Sequence, residues 1–214
     1  MAITLSALRT LVRRDLRDSG ATPTWSTDEI NDMIKWGTQE VSRVRPQETY
    51  ETATYTAPAV GAFFTIDTLT LHSVYRVDAY NAAGKLLLTV PYSITTEANG
   101  GWDFINGKLH MPQYFVLPNN CTLRVFGYKN YTQPTTDASS IELDDDGINA
   151  VRAWVAKESM FMLISDRVRF QQWAVASGAS DTNSIQLAQL YSAAERRWDK
   201  LIRAIRRVRK TPGA

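Results

Sequence analysis

Between Gln47 and Pro134 the chain abandons the residue spacing that governs both of its ends. Up to Arg45 and again beyond Asp146, apolar side chains recur every three or four positions, the rhythm of a helix with one buried face. In the stretch between, Thr, Tyr, Val and Phe dominate and Gly, Pro and Asn punctuate them, which is the grammar of short strands. A helical sequence interrupted once by strands, with no internal repeat and no long linker, has few ways to bury its apolar residues. The simplest is a single bundle made from both ends of the chain. The expected fold is therefore α+β: a helical bundle from the N- and C-terminal helices (1–46 and 135–194), an inserted antiparallel β module (47–134), and a basic C-terminal helix and tail (195–214).

Leu5, Leu8, Val12 and Leu16 predict an amphipathic helix over about 5–18, with Thr4 as N-cap and Gly20 just past the end. The row Arg9, Arg13 and Arg17 on its other side reads as a solvated face beside Asp15 and Asp18. Ser26 and Glu29 form an S-x-x-E capping box, and Trp25 is placed to staple onto Ile30. The stripe Ile30, Met33, Ile34, Val41 and Val44 then runs until Pro46, which disfavours helix at Arg45. Strands are expected at 49–56, 63–66, 74–80, 86–90, 102–105, 108–111 and 122–128. Asn106-Gly107 is a hairpin signal, since both central positions of a type I′ turn need positive φ, and Ala82-Ala83-Gly84 makes a looser connection. The module has the size of a small sandwich or barrel with polar loops at one end.

One long helix is expected over about 147–176. Its middle, Met160 to Ile164, is apolar on every side, so it is either a central helix or one that also faces another subunit, with Met160, Phe161 and Met162 as candidate interface residues. A break at 177–180 precedes a last helix from about Ser184, on which Leu187, Tyr191, Ala194, Trp198, Leu201, Ile205 and Val208 keep a steady apolar stripe. Trp36, Trp102, Trp154 and Trp173 are assigned to core packing.

Catalytic chemistry finds little support. The chain has no nucleophile elbow, P-loop, H-E-x-x-H or dinucleotide fingerprint, and neither His72 nor His110 has a partner motif. Glu142, Asp144, Asp146 and Gly147 align with the start of a calcium loop, but Ala153 stands where the bidentate Glu belongs, so these carboxylates read as caps on a helix N-terminus. A lone Cys121 cannot form an intramolecular disulfide and leaves no zinc site. No catalytic residue, metal or cofactor is expected. There is no apolar leader and no run of about 18 apolar residues, so the protein is expected to be made and kept in a cytosol. Strand aromatics such as Tyr75, Tyr80, Phe104 and Tyr128 lack the dense basic neighbours that a base-stacking surface has.

Charge carries more information. The whole chain has 24 Lys+Arg against 22 Asp+Glu, a net +2 that looks unremarkable. Residues 195–214 alone hold eight basic and two acidic residues, a net +6, which leaves −4 for the rest. Helical periodicity gathers Arg196, Lys200, Arg203, Arg207 and Lys210 opposite the apolar stripe. Such a single-sign face suits an anionic partner, and DNA phosphates and an acidic protein surface fit equally well on charge. A membrane surface fits less well, because the stripe continues into what reads as bundle core.

The residues 5–18 (LSALRTLVRRDLRD), the start 25–34 (WSTDEINDMI), and the closing helices 148–176 and 185–208 with Ala193-Ala194-Glu195-Arg196-Arg197 resemble the head-to-tail connector adaptor proteins of tailed bacteriophages. The β segment is similar in position to that family's inserted module, so the resemblance covers nearly the whole chain. It implies a non-enzymatic virion protein at the head–tail interface of the capsid vertex, present in the host cytoplasm during assembly. It implies a homo-oligomeric ring of about twelve subunits beneath the portal protein, extending the channel for genome DNA and docking stopper or tail proteins. By position, portal contact would fall on Arg196, Lys200, Arg203, Arg206, Arg207, Arg209 and Lys210. The rival reading from charge alone is a DNA-binding accessory protein using the same helix on phosphates.

Overall fold

The apolar side chains collect in two separate cores, one in each of the two units into which the chain divides. The computed structural model describes residues 3–20, 22–58, 63–92, 101–112, 117–179 and 182–206. The first unit is Met1–Arg45 with Tyr131–Arg207, and the second is built on Pro46–Asn130. The α+β class is as the sequence indicates, with five helices and three antiparallel sheets among the described residues.

The first unit opens with β1 (Ile3–Thr4) and α1 (Leu5–Asp15), whose N-cap Thr4 accepts from the Ala7 N–H. The helix ends earlier than its apolar spacing indicates. Arg17 takes a left-handed φ of 54°, and the Asp18 and Arg17 N–H groups turn back onto the Arg13 and Arg14 carbonyls. A non-glycine residue in that conformation costs about 1 kcal/mol. The buried Asp18 carboxylate offsets it by accepting from the Thr24 N–H at 2.6 Å and the Arg13 guanidinium at 2.7 Å. Helix α2 (Thr27–Val44) starts on the full Ser26–Glu29 capping box, with Trp25 and Ile30 both wholly buried in the same core.

The region 147–176 is two helices rather than one: α3 (Asp145–Ser165) and α4 (Arg167–Ala176). Asp166 separates them, with extended backbone and a side chain that accepts from the Val168 and Arg169 N–H groups. No Gly or Pro marks the break, so the stretch reads as one helix in the sequence. An Asp cap suffices because it satisfies two donors at the new N-terminus. Helix α4 closes with Gly178 at φ 68° and then leads to α5 (Ser184–Ile205), which begins on an Asn183–Gln186 capping box.

Helix α3 is the central helix, packed against α1, α2, α4 and α5. That position explains why it is apolar around most of its circumference. It packs tightly on α2 at Gly37, where a Cβ would lie 2.9 Å from Trp154 Cδ1 and 3.2 Å from Val151 Cγ1. The indole of Trp173 on α4 is buried and donates to the Leu16 carbonyl at 3.0 Å. A two-residue ladder between β1 and β9 (Ser140–Ile141), which the sequence does not announce, ties the chain start to the approach to α3.

The second unit holds β2 (Gln47–Thr54), β3 (Phe63–Ile66), β4 (Ser73–Tyr80), β5 (Leu86–Val90), β6 (Asp103–Ile105), β7 (Lys108–Pro112) and β8 (Thr122–Lys129). Four strands pair in the order β2-β8-β4-β5 and three in the order β3-β7-β6, all antiparallel. Inward residues of both sheets share one core: Val77, Ala79, Leu123 and Val125 from the first, and Ile66, Leu109 and Met111 from the second. Of the sandwich and the barrel that its length allowed, two sheets over one shared core correspond to the sandwich. Asn106 and Gly107 both take positive φ, 52° and 78°, as the type I′ turn requires. Gly127 sits against the β4 bulge, where a Cβ would lie 2.1 Å from the Ser73 carbonyl oxygen. The buried Cys121 thiol is pushed above its usual range by burial.

The Gly37 contact yields a direct test. Gly37→Ala forces the Trp154 ring or α2 to move, and urea unfolding should show a loss of roughly 1–3 kcal/mol, despite the higher helix propensity of alanine.

Candidate docking surface

Several arginines of the helical unit have internal carboxylate partners. Arg9 and Arg13 do not form a solvated row. Arg9 makes a bidentate pair with Asp137 (2.7 and 3.0 Å) and reaches Asn31, while Arg13 bridges Asp18 and the Trp25 carbonyl. Only Arg17 of that row is exposed. Partners distant in sequence, such as Asp137, are what spacing on one helix cannot reveal. Arg45 pairs with Asp144, Arg152 with Asp15, and Arg169 with Glu29, each joining segments distant in the chain by one guanidinium and one carboxylate. The two-point contacts of Arg45 and Arg152 fix relative orientation as well as distance.

Asp144 also accepts from the Gly147 N–H at 2.9 Å and is the N-cap of α3, with Asp145 and Asp146 in the first turn. The acidic run thus serves the helix end, where the macrodipole favours negative charge. Among the described residues no group of three or more His, Cys, Asp or Glu side chains is arranged to hold a metal ion. His110 shares a hydrogen bond with Thr65 across the β3–β7 ladder, and His72 lies exposed.

Helix α5 is different. One side packs on α3: Leu187, Trp198 and Ile205 are buried, and the Trp198 ring meets Trp154 edge-on at 5.0 Å. The Tyr191 phenol, pushed up by burial and by Glu195, stays protonated and donates to Glu195 at 3.3 Å. The other side exposes Arg196, Arg197, Lys200, Arg203 and Arg206, with Glu195 and Asp199 at one border. Among the described residues no carboxylate pairs with any of these five; Arg196 touches only the Ser192 carbonyl of its own helix. Arg207, Arg209 and Lys210 lie outside the described residues. Helix α5 runs unbroken through Glu195, so the cations sit on the same rigid element as the core stripe.

The candidate interface residues separate. Met160 is in the core, Met162 packs against it half-buried, and Phe161 is 54% exposed beside Tyr191. Phe161 points away from Met160 because neighbours on a helix are 100° apart. Of the tryptophans assigned to the core, Trp102 and Trp173 are buried and Trp154 half-buried, while Trp36 is 50% exposed on α2.

A rigid helical unit with one long, uncompensated cationic face, joined to a β module, is the form of a protein that docks onto others. No described helix is long and apolar enough to cross a membrane. The SU10 adaptor protein family model matches residues 3–213, nearly the entire chain, and the chain belongs to that family. It is a phage structural adaptor, a virion component that assembles with other virion proteins. No curated protein matches it.

The clamps carry a pH signature. Burial raises the Glu29 carboxyl, but the Ser26 N–H and the Arg169 guanidinium outweigh it and leave it below its ordinary value; Arg9 holds Asp137 below its own. Carboxyls lowered by folding stabilise above the ordinary carboxylate range, and the contribution is lost as pH falls through the lowered values. A Glu29→Gln, Asp137→Asn variant should therefore melt below the native chain at neutral pH, with the difference in Tm shrinking in acid.

Proposed function

We propose that this protein is a head-to-tail adaptor: a homo-oligomeric ring of about twelve subunits that docks beneath the portal protein, extends the channel for genome DNA, and offers the attachment surface for stopper or tail proteins. The family supports the adaptor role, and the single observation that carries the docking assignment is the cationic face of α5. In this reading Arg196, Lys200, Arg203 and Arg206, continued by Arg207, Arg209 and Lys210, meet an acidic portal surface. Charges left without partners inside a subunit cost little in water and gain most when a complementary surface excludes that water. Phe161 is an exposed apolar residue suited to a subunit contact, and ring closure needs two different patches on each subunit.

Reversing three charges, Arg196→Glu, Lys200→Glu and Arg203→Glu, should leave the helical content unchanged and weaken binding to the cognate portal ring by roughly a hundredfold or more. Sedimentation of the two purified proteins together measures this. Undiminished binding by the triple variant would refute the assignment. If instead the native chain binds duplex DNA with a steep salt dependence and ignores the portal, the DNA-binding reading replaces it.

A further inference from the structure

Of the strand aromatics that lack dense basic neighbours along the sequence, Tyr80 acquires an arginine across the sheet, in a cluster with Tyr50 and Phe126. On the outward face of the four-stranded sheet, Arg76 on β4 lies over the Phe126 ring at 4.3 Å, and Arg124 on β8 lies over Tyr80 at 4.1 Å and Tyr50 at 5.5 Å. Tyr50 is 50% exposed, and its ring contacts Phe126 at 5.5 Å. The register explains the cluster: Tyr50 and Arg76 both stand opposite Phe126, and Asp78 stands opposite Arg124.

Asp78 does not neutralise Arg124. Its buried carboxylate accepts from Arg76 at 2.8 Å, from Thr89 at 2.8 Å and from Tyr80 at 3.4 Å. Arg124 is left with ring contacts and, among the described residues, no carboxylate within ion-pair distance. A guanidinium set over two rings has already lost rotamer freedom, while its N–H groups keep the fork geometry that fits a carboxylate.

We propose that this face is a docking surface for an acidic segment of a partner protein, whose carboxylate takes the free edge of Arg124. Tyrosine and arginine around one charge-bearing centre are the residue types that dominate protein interfaces. The ring faces of Tyr80 and Phe126 are covered by guanidinium groups, so they are not open for stacked bases, and one uncompensated cation is too few for a nucleic-acid backbone. A symmetric contact between two copies would bring like charges together. The site lies on the β module and is independent of the portal contact assigned to α5.

The test uses full-length protein with nitrogen-15 arginine and follows the side-chain N–H signals of Arg124 and Arg76 by NMR. The probes are a short peptide alternating glutamate with isoleucine, the same peptide with glutamine, and oligothymidylate. The glutamate peptide should shift both signals saturably and the glutamine peptide should not. In Arg124→Gln the affinity read at Arg76 should fall about tenfold, and Arg124→Lys, which keeps the charge and loses the fork, should not restore it. Equal shifts with both peptides, or none, would overturn the proposal. Stronger shifts with oligothymidylate would overturn it in favour of single-stranded nucleic acid. A drop in particle mass on Arg124→Gln without peptide would overturn it in favour of a contact between copies.

Discussion

Everything in the helical unit depends on the chain returning to the place it left. It departs at Arg45 and comes back at Tyr131, and the helices that complete the bundle lie on the far side of that excursion. Two contacts inside the unit hold the exit and the return together. The Ser42 hydroxyl accepts from the Tyr131 N–H at 3.2 Å, and Arg45 forks onto Asp144, the residue that also caps α3. Closing a loop this long costs only slightly more entropy than closing a short one. An insertion of a whole β module is therefore tolerable, provided that the ends are pinned by contacts of this quality.

The same arithmetic of charge links fold to function. Guanidiniums at Arg9, Arg13, Arg45, Arg152 and Arg169 each find a carboxylate within the unit and join elements that packing alone would leave free to slide. Among the described residues, the cations of α5 find none. A face that stabilises nothing internally and stands on a helix locked by Trp198 and Ile205 is poised for another molecule. The near-neutral sum over the whole chain conceals this, because the acids that balance it belong to other elements and most of those with partners are engaged there.

The elements were legible wherever the signal is local. Strand alternation located every strand of the sandwich to within about two residues, and the Ser26–Glu29 box, the Asn106-Gly107 turn and the break before α5 each rest on a few adjacent residues. What stayed hidden depends on side-chain contacts that apolar spacing does not encode. Arg17 adopts the conformation usually given to glycine because Asp18 is buried and paired, and Asp166 divides a stretch that no Gly or Pro interrupts. The pairing of β1 with β9 is too short to leave a pattern. The exposure of the α5 cations was readable from periodicity, since burial on one side fixes what the other side shows. The Arg124 site was not, because its members come from three strands and meet only through register.

The central claim is that the cations of α5 are left unpaired so that the assembled ring can hold a second one. Its most direct measurement is the mass of the particle formed with the portal protein, taken at low and at high salt. Ring-on-ring contact through an exposed cationic face predicts a combined particle at low salt that separates as the Debye length shrinks from about 10 Å toward 3 Å, while each ring keeps its own mass. A combined mass indifferent to salt, or an adaptor that remains a monomer beside the portal, would contradict it.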